Sequence, residues 1–167
     1  FKVKAWVDTF IKIPFNKYNN LPITFADGID KCHDFMDNAK NQLDKVVYGL
    51  EDAKIQIMQM IGLWLVNQNA VVSAIAIKGP PGTGKTTLIE EGISKILNRP
   101  YELIALGGCG DSGFLDGHDY TYEGSKYGKI VDILIKSGCM NPVILFDELD
   151  KLSDSFKGQE ITGVLTH

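Results

Sequence analysis

The chain has few cysteines, and no two of them have the spacing of a paired motif. Its 167 residues include three, Cys32, Cys109 and Cys139, which lie far apart without a Cys-x-x-Cys pattern. A sparse, odd set of cysteines argues against a disulfide framework and is typical of a reducing compartment. We therefore expect a cytoplasmic location or another reducing compartment, and the mitochondrial matrix stays open.

Long apolar runs and clustered positive charge are also missing. No stretch approaches the ~18–20 apolar residues that cross a bilayer, and the nearest, 55–66, is interrupted by Gln56 and Gln59. The net charge is −4 and the lysines are scattered, so the basic footprint of a nucleic-acid-binding protein is absent. Neither a membrane nor a nucleic acid is therefore an expected partner.

Groups of metal ligands and hydrolytic side chains are equally scarce. Cys32 stands beside His33, and His118 stands close to Asp116 and Asp119. Neither group has the ligand spacing of a known zinc site, so no metal other than magnesium is expected. No cysteine or serine stands in a recognisable context for a protease nucleophile.

The chain does contain a glycine-rich loop of one specific spacing. Residues 79–86 match G-x-x-x-x-G-K-[ST], between an apolar run at 71–77 and an amphipathic stretch that reaches Leu97. Between a strand and a helix, such a loop directs backbone N–H groups and the positive helix end at a polyphosphate. A merely tight, exposed turn is the alternative, but the full match with both flanks favours binding of a nucleoside triphosphate.

Two side chains of this loop have expected roles. Lys85 is expected to reach the β- and γ-phosphates, and the Thr86 hydroxyl is expected to hold a magnesium ion. The loop residues predicted to bind the nucleotide are Gly79, Pro80, Pro81, Gly82, Thr83, Gly84, Lys85, Thr86 and Thr87.

An apolar run that ends in two carboxylates forms a second motif. Residues 143–146 are Val-Ile-Leu-Phe, followed by Asp147 and Glu148. Consecutive apolar residues favour a strand buried on both faces of a parallel sheet, whose C-terminal end is where open α/β sheets bind ligands. Asp147 is expected to orient magnesium, and Glu148 to activate the attacking water. An acid pair at the start of a helix is the alternative.

Periodicity predicts an alternation of helices and strands. Apolar spacing indicates a helix over 3–11 that Pro14 stops, a weaker helix over 27–41, and a clear helix over 51–67. Strands are predicted at 71–77, 101–106 and 143–146, and helices are predicted from the loop to Leu97 and over 129–136, before Gly138. The helix after the loop is expected to face inward through Leu88, Ile89, Ile93, Ile96 and Leu97. This order predicts an α/β fold with a parallel sheet flanked by helices.

Several of these segments together resemble the ATPase module of Lon proteases. The similar segments are Tyr48-Gly49-Leu50-Glu51, the lead-in over 3–17, Leu106-Gly107-Gly108, Gly117-His118, Thr121-Tyr122, Gly128-Lys129-Ile130, and the run from Asn141 to Lys151. The resemblance covers nearly the whole chain. It implies a P-loop NTPase fold of the AAA+ type, with residues 1–42 as a helical lead-in and 43–167 as the large α/β subdomain, incomplete at its C-terminal end.

The same resemblance implies an activity and further site residues. It implies a hexameric AAA+ motor that uses ATP and Mg²⁺ to unfold proteins and feeds them to a Ser-Lys peptidase domain outside this sequence. Val47, Tyr48 and Gly49 would line the adenine side, and Tyr122 would grip the substrate in the central pore. Where the family usually has an apolar residue after that tyrosine this chain has Glu123, and Asp116, Asp119 and Tyr120 stand where arginines are usual. A preference for neutral or basic unfolded substrates follows as a hypothesis.

Other classes of protein stay open. A non-proteolytic AAA+ remodelling ATPase or chaperone is the main alternative, and a nucleotide-binding structural subunit that never hydrolyses ATP is the second. The resemblance also places an arginine finger later than His167, and lack of one costs ~10³–10⁵ in rate. The 167 residues alone are therefore expected to bind nucleotide weakly and hydrolyse it slowly.

Overall fold

The computed structural model describes residues 2–67, 74–107, 112–118, 126–152 and 156–166. Its elements are α1 (Lys2–Lys12), α2 (Ile29–Val46), α3 (Glu51–Val66), α4 (Lys85–Thr87), α5 (Ser94–Leu97), β1 (Tyr101–Ala105), α6 (Gly113–Asp116), α7 (Lys129–Ser137), β2 (Val143–Asp147) and α8 (Phe156–Thr166). A π-helical turn, Leu88–Ile93, joins α4 to α5, so residues 85–97 form one helical run. Short 3-10 turns occur at Phe25–Asp27 and Leu149–Lys151.

The chain divides into two compact units, which are described separately. The first, called the sheet unit, comprises residues 1–18 and 101–167, and the second, called the loop unit, comprises residues 19–100. The predicted division into a lead-in over 1–42 and an ATPase subdomain from 43 onward stays a prediction.

Two parallel strands form the centre of the sheet unit. β1 pairs with β2 in a register that runs from Tyr101 beside Val143 to Ala105 beside Asp147. Parallel strands require a long crossover, and α6 and α7 lie in the connection between these two. Buried core side chains come from the strands and the flanking helices, namely Ile104, Leu106, Leu115, Ile133 and Ile161. The register places the residues that follow both strands at the same edge of the sheet.

The strands at 101–106 and 143–146 are confirmed, but one expectation about β2 is wrong. All five residues of β2 are only partly buried, whereas complete burial on both faces was expected. In the described part of the chain β2 pairs with β1 alone. One neighbouring strand does not enclose a strand as the interior of a larger parallel sheet does.

Three helical segments pack together in the loop unit. The side chains predicted to face inward after the phosphate loop are all buried, namely Leu88, Ile89, Ile93, Ile96 and Leu97. From α2 and α3, the buried apolar side chains include Ala39, Leu43, Ile57, Ile61 and Leu65. At Gly92 a Cβ would lie 3.0 Å from Cδ2 of Leu43, so the absence of a side chain there allows the π-helical turn to approach α2 closely.

The apolar run at 71–77 does not form a paired strand in its described part. Residues 71–73 lie outside the described residues, and residues 74–77 have no regular secondary structure. Ala74 and Ala76 are exposed, while Ile75 and Ile77 are partly buried. A strand is defined by ladder hydrogen bonds to a neighbour, and the described residues provide 74–77 with no such partner. The strand expected before the phosphate loop is therefore not observed.

Most predicted helices agree closely with the structure, whereas the helix predicted over 27–41 is α2, which continues to Val46. α1 ends at Lys12, two residues before Pro14, and the helix predicted over 51–67 is α3. α7 ends at Ser137, and Gly138 after it adopts the left-handed conformation expected of a glycine C-cap. The described residues of the loop predicted from Cys109 to Gly128 include the short helix α6 and an antiparallel bridge between Gly117 and Tyr127. Within the described ranges, no helix is long and apolar enough to span a membrane.

Candidate nucleotide-binding site

The phosphate loop adopts a backbone conformation that requires glycine at two positions. Gly82 has a φ of 76° and Gly84 a φ of 83°, and both values fall in the left-handed region that is open to glycine at little cost. No atom lies within 4 Å of the position that a Cβ on Gly82 would occupy. Glycine at 82 is therefore explained by its backbone conformation alone.

The Lys85 side chain folds back over this loop. Its Nζ donates hydrogen bonds to the carbonyl oxygens of Gly79, at 2.9 Å, and Pro80, at 2.6 Å. The Thr83 hydroxyl donates to the same Pro80 oxygen at 3.0 Å. A phosphate oxygen is a stronger acceptor for an ammonium than a neutral carbonyl is. The ammonium is thus held at the loop by weak acceptors that a bound phosphate can replace.

The helical run begins directly after the loop. Gly84 is its N-terminal cap, and the N–H of Leu88 donates to the Gly84 carbonyl at 2.8 Å. The first N–H groups of a helix have no partner within the helix and present a partial positive charge. Thr86 is partly buried and Thr87 is exposed. Thr86 therefore lies in the first turn, at the end of the helix that favours anions, and its role as a magnesium ligand stays a prediction.

The turn at 47–50 belongs to the same unit as the phosphate loop. Buried Val47 packs against Gly84, whose Cβ would lie 3.1 Å from Cγ1 and 3.2 Å from Cγ2 of this valine. Tyr48, the next residue, is fully exposed, and Gly49 and Leu50 both have positive φ. The structure therefore brings this turn to the start of the helix, next to the loop. The role of residues 47–49 in binding adenine stays a prediction.

The two acids predicted to take part in ATP hydrolysis lie at the C-terminal end of β2, in the sheet unit. Asp147 is the last residue of the strand, and its Oδ1 accepts a hydrogen bond from the N–H of Glu148 at 2.8 Å. Both residues are partly exposed. Carboxylate and hydroxyl oxygens are ligands that Mg²⁺ prefers. By its donor chemistry and accessibility Asp147 fits a magnesium ligand, as does the hydroxyl of Thr86.

Glu148 has a close partner that the sequence reasoning did not identify. Its Oε1 forms an ion pair with Nζ of Lys151, and the hydrogen bond to this carboxylate raises the pKa of the Lys151 ammonium. Its Oε2 lies over Gly107, where a Cβ would collide with it. The spacing of Glu148 and Lys151, three residues apart, is a signal for such a pair. No signal in the sequence pattern indicates the contact with Gly107.

Several residues that the sequence analysis named are not part of these two groups of side chains. Four of them lie outside the described residues, namely Asp119, Tyr120, Tyr122 and Glu123. Cys32 donates its thiol hydrogen to the Thr24 carbonyl at 3.5 Å. In the described ranges, no three His, Cys, Asp or Glu side chains are grouped so as to hold a metal ion.

Comparison with known proteins agrees with this description. Residues 75–165 match the family model described as "ATPase family associated with various cellular activities (AAA)". A "Lon protease homolog" of Acanthamoeba polyphaga mimivirus is 34% identical over 170 residues, covering 100% of this chain and 16% of that protein. A "Lon protease" of Methanosphaera stadtmanae is 33% identical over 163 residues, covering 98% of this chain and 18% of that protein. A "Lon protease" of Clostridioides difficile is 34% identical over 162 residues, covering 97% and 19%.

The family match covers more than half of the chain. The chain belongs to the AAA family of ATPases, and its fold is that of an α/β P-loop NTPase. Within that family it is similar over its whole length to Lon proteases, which confirms the resemblance predicted from the sequence. The chain spans less than a fifth of the length of each of these three relatives.

Proposed function

We propose that this chain is the ATP-binding and ATP-hydrolysing motor module of a Lon-like ATP-dependent serine protease. The observation that supports it most is the phosphate loop, with glycines at both left-handed positions and the Lys85 ammonium held over the loop carbonyls. A loop of this pattern that leads straight into a helix is suited to a polyphosphate. The similarity to Lon proteases supports the rest of the assignment.

Each proposed role follows from the chemistry of its side chain. Lys85 binds the β- and γ-phosphate oxygens, and Thr86 and Asp147 serve as oxygen ligands for Mg²⁺. When bound, Mg²⁺ neutralises the phosphate charge that develops during transfer. Glu148 accepts a proton from the attacking water, a contribution of ~10²–10⁴ in rate for a general base. Tyr48 and its neighbours form the adenine side.

The decisive experiment is the substitution Glu148→Gln in the full-length gene product. Glutamine keeps the shape of the side chain but cannot accept the proton, so we expect ATP hydrolysis to fall by about 10²–10⁴ while ATP still binds. Asp150→Asn, at an exposed acid two residues away, is the matched control and should leave turnover close to the parent rate. Turnover unchanged by Glu148→Gln would instead identify a passive nucleotide-binding subunit.

The proteolytic part of the proposal depends on the similarity to Lon proteases, and it assigns peptide cleavage to a domain outside this sequence. We propose that the full-length protein assembles into a homo-hexamer that unfolds proteins. ATP-dependent cleavage of an unfolded protein, absent in Glu148→Gln, is the expected result. Unfolding without cleavage would instead favour a remodelling ATPase or chaperone.

Tyr122 is proposed to grip the unfolded substrate. A bulky aromatic side chain, here two residues before Gly124, provides contact area for a passing unfolded chain. Tyr122→Ala should slow substrate unfolding while ATP hydrolysis continues, and Tyr122→Phe should largely restore unfolding.

The negative charge of Glu123 leads us to expect faster translocation of basic than of acidic tagged substrates. Equal translocation rates for the two kinds of substrate would contradict that preference.

A further inference from the structure

Glu148 is held in a closely defined backbone conformation. Its φ of 60° is left-handed, a region that non-glycine residues seldom adopt. Its N–H donates to Oδ1 of Asp147 at 2.8 Å, and its carbonyl accepts from the N–H of Lys151 at 3.0 Å. The N–H of Leu106 secures the preceding peptide by donating to the Asp147 carbonyl at 2.9 Å. Strained residues of this kind persist where their neighbours hold them, so the Glu148 side chain leaves the backbone in a fixed direction.

Each oxygen of the Glu148 carboxylate has a different neighbour in this conformation. Oε1 meets the Lys151 ammonium, and Oε2 lies against Gly107, where a Cβ would collide with it. The same Cβ would lie 3.2 Å from Cδ of Lys151. The space left by the missing side chain of Gly107 therefore accommodates both partners of the ion pair.

We propose that Lys151 is a positioning residue that docks Glu148 over Gly107 in the resting state, and that Glu148 must leave this docked position before it activates water. This inference rests on the proposed role of Glu148 in ATP hydrolysis. A general base needs an oxygen within hydrogen-bond reach of the proton it removes. In the docked position Oε1 is paired with an ammonium and Oε2 fills the space beside Gly107, so the proposal assigns hydrolysis to undocked molecules.

The exposure of the pair makes docking reversible. The Lys151 side chain is 57% exposed and the Glu148 side chain 39% exposed. Exposed ion pairs are weak because water screens both charges. Docking therefore lowers the fraction of molecules competent for ATP hydrolysis only severalfold. Glu148 can then leave such a weakly held resting position in every catalytic cycle.

The kinetic test removes each side of the docked arrangement in the full-length protein. Lys151→Met should raise kcat for ATP hydrolysis about two- to fivefold, the range that an exposed ion pair can impose on a population, with KM for ATP unchanged. Lys151→Arg keeps an ion pair and should turn over close to the parent rate. Gly107→Ala places a methyl group where Oε2 lies, so it should raise kcat in the same direction.

A matched control uses the other strand of the sheet. Lys136 forms an ion pair with Glu102 of β1, at 2.6 Å, in the same unit. Lys136→Met removes a lysine and its ion pair without touching Glu148, so kcat should not change. An increase as large as that of Lys151→Met would overturn the inference, because it would trace the effect to loss of charge.

A second measurement does not depend on activity. Acylation of lysine requires the neutral amine, and the contact with Glu148 favours the charged form of Lys151. Mass spectrometry should show faster acylation of Lys151 in Glu148→Gln than in the parent protein. Exposed Lys95 should react equally in both. Equal reactivity of Lys151 in the two proteins would overturn the pairing.

The outcomes separate this inference from the proposed function. If Glu148→Gln leaves ATP turnover intact, the proposed function fails and the docking inference fails with it. If Glu148→Gln abolishes turnover but Lys151→Met lowers kcat or leaves it unchanged, the proposed function stands and the docking inference alone is overturned.

Discussion

Val47 packs directly against Gly84, the residue that begins the helix after the phosphate loop. A Cβ on Gly84 would lie 3.1 Å from Cγ1 and 3.2 Å from Cγ2 of this valine, and Gly84 also has a φ of 83°. Two independent constraints, backbone conformation and a close neighbour, therefore require glycine at position 84. The contact between Val47 and Gly84 joins the turn at 47–50 to the start of the helix.

This double constraint predicts a graded effect of alanine substitutions. Gly82→Ala introduces only the left-handed penalty, roughly 1–2 kcal/mol, because its surroundings are open. Gly84→Ala adds a steric conflict with Val47 and should cost more in the free energy of unfolding. Adding Val47→Ala to Gly84→Ala should recover part of that difference. Urea unfolding of the four proteins measures these values, and equal costs at positions 82 and 84 would contradict the account.

An ion pair with a buried lysine joins α2 and α3. Nζ of Lys54 lies 2.9 Å from Oδ1 of Asp44 and 3.6 Å from Oε1 of Glu51, and the Lys54 side chain is only 7% exposed. Removal of the nearer acceptor leaves a buried ammonium poorly satisfied, so Asp44→Ala should destabilise by about 1–3 kcal/mol. Lys54→Met should cost less, because an apolar side chain is tolerated at a buried position.

The control for this prediction is an ion pair of similar length whose lysine is more exposed and whose acid is equally exposed. Nζ of Lys129 lies 2.8 Å from Oδ2 of Asp132, with side chains 36% and 47% exposed. Asp132→Ala should therefore cost at most about 1 kcal/mol. Chemical denaturation of both alanine variants gives the comparison. A larger loss for Asp132→Ala than for Asp44→Ala would show that burial does not determine the cost.

The 3-10 turn before α2 predicts a pH-dependent contribution to stability. Backbone and hydroxyl hydrogen bonds from Thr24, at 2.8 and 2.9 Å, hold the pKa of the Asp27 carboxyl below its ordinary value of 3.8. A lowered folded-state pKa gives stability that is present above the ordinary value and lost as pH falls through the folded value. Asp27→Asn should therefore lower the urea midpoint at pH 7. The difference from the parent protein should shrink at pH 2, and a constant difference would refute the assignment.

Much of the helical structure could be predicted from the sequence, because periodicity and terminal residues report local physics. Pro14 indicates the end of α1 and Gly138 the end of α7, since each acts on its own stretch of backbone. Ile57 and Ile61 are buried on one face of α3, as their spacing predicts. The phosphate loop follows from its own pattern in the same way.

The rest of the structure depends on partners that are remote in sequence. The apolar run at 71–77 indicates burial, but a strand forms only beside a neighbouring strand, which periodicity does not reveal. The contact of Glu148 with Gly107 joins residues far apart in the chain, and the left-handed backbone of Glu148 has no composition signal. The pairing with Lys151 is local, and its spacing is readable in the sequence.

The central claim is that the loop over 79–86 binds a nucleoside triphosphate through Lys85, and isothermal titration calorimetry tests it most directly. With Mg²⁺ present, ATP should bind the full-length protein, and Lys85→Ala should weaken binding by about 10- to 100-fold through loss of a charge-assisted hydrogen bond. Lys95→Ala, at an exposed lysine further along the helical run, should bind as the parent does. Absence of ATP binding, or equal affinity in Lys85→Ala, would contradict the account.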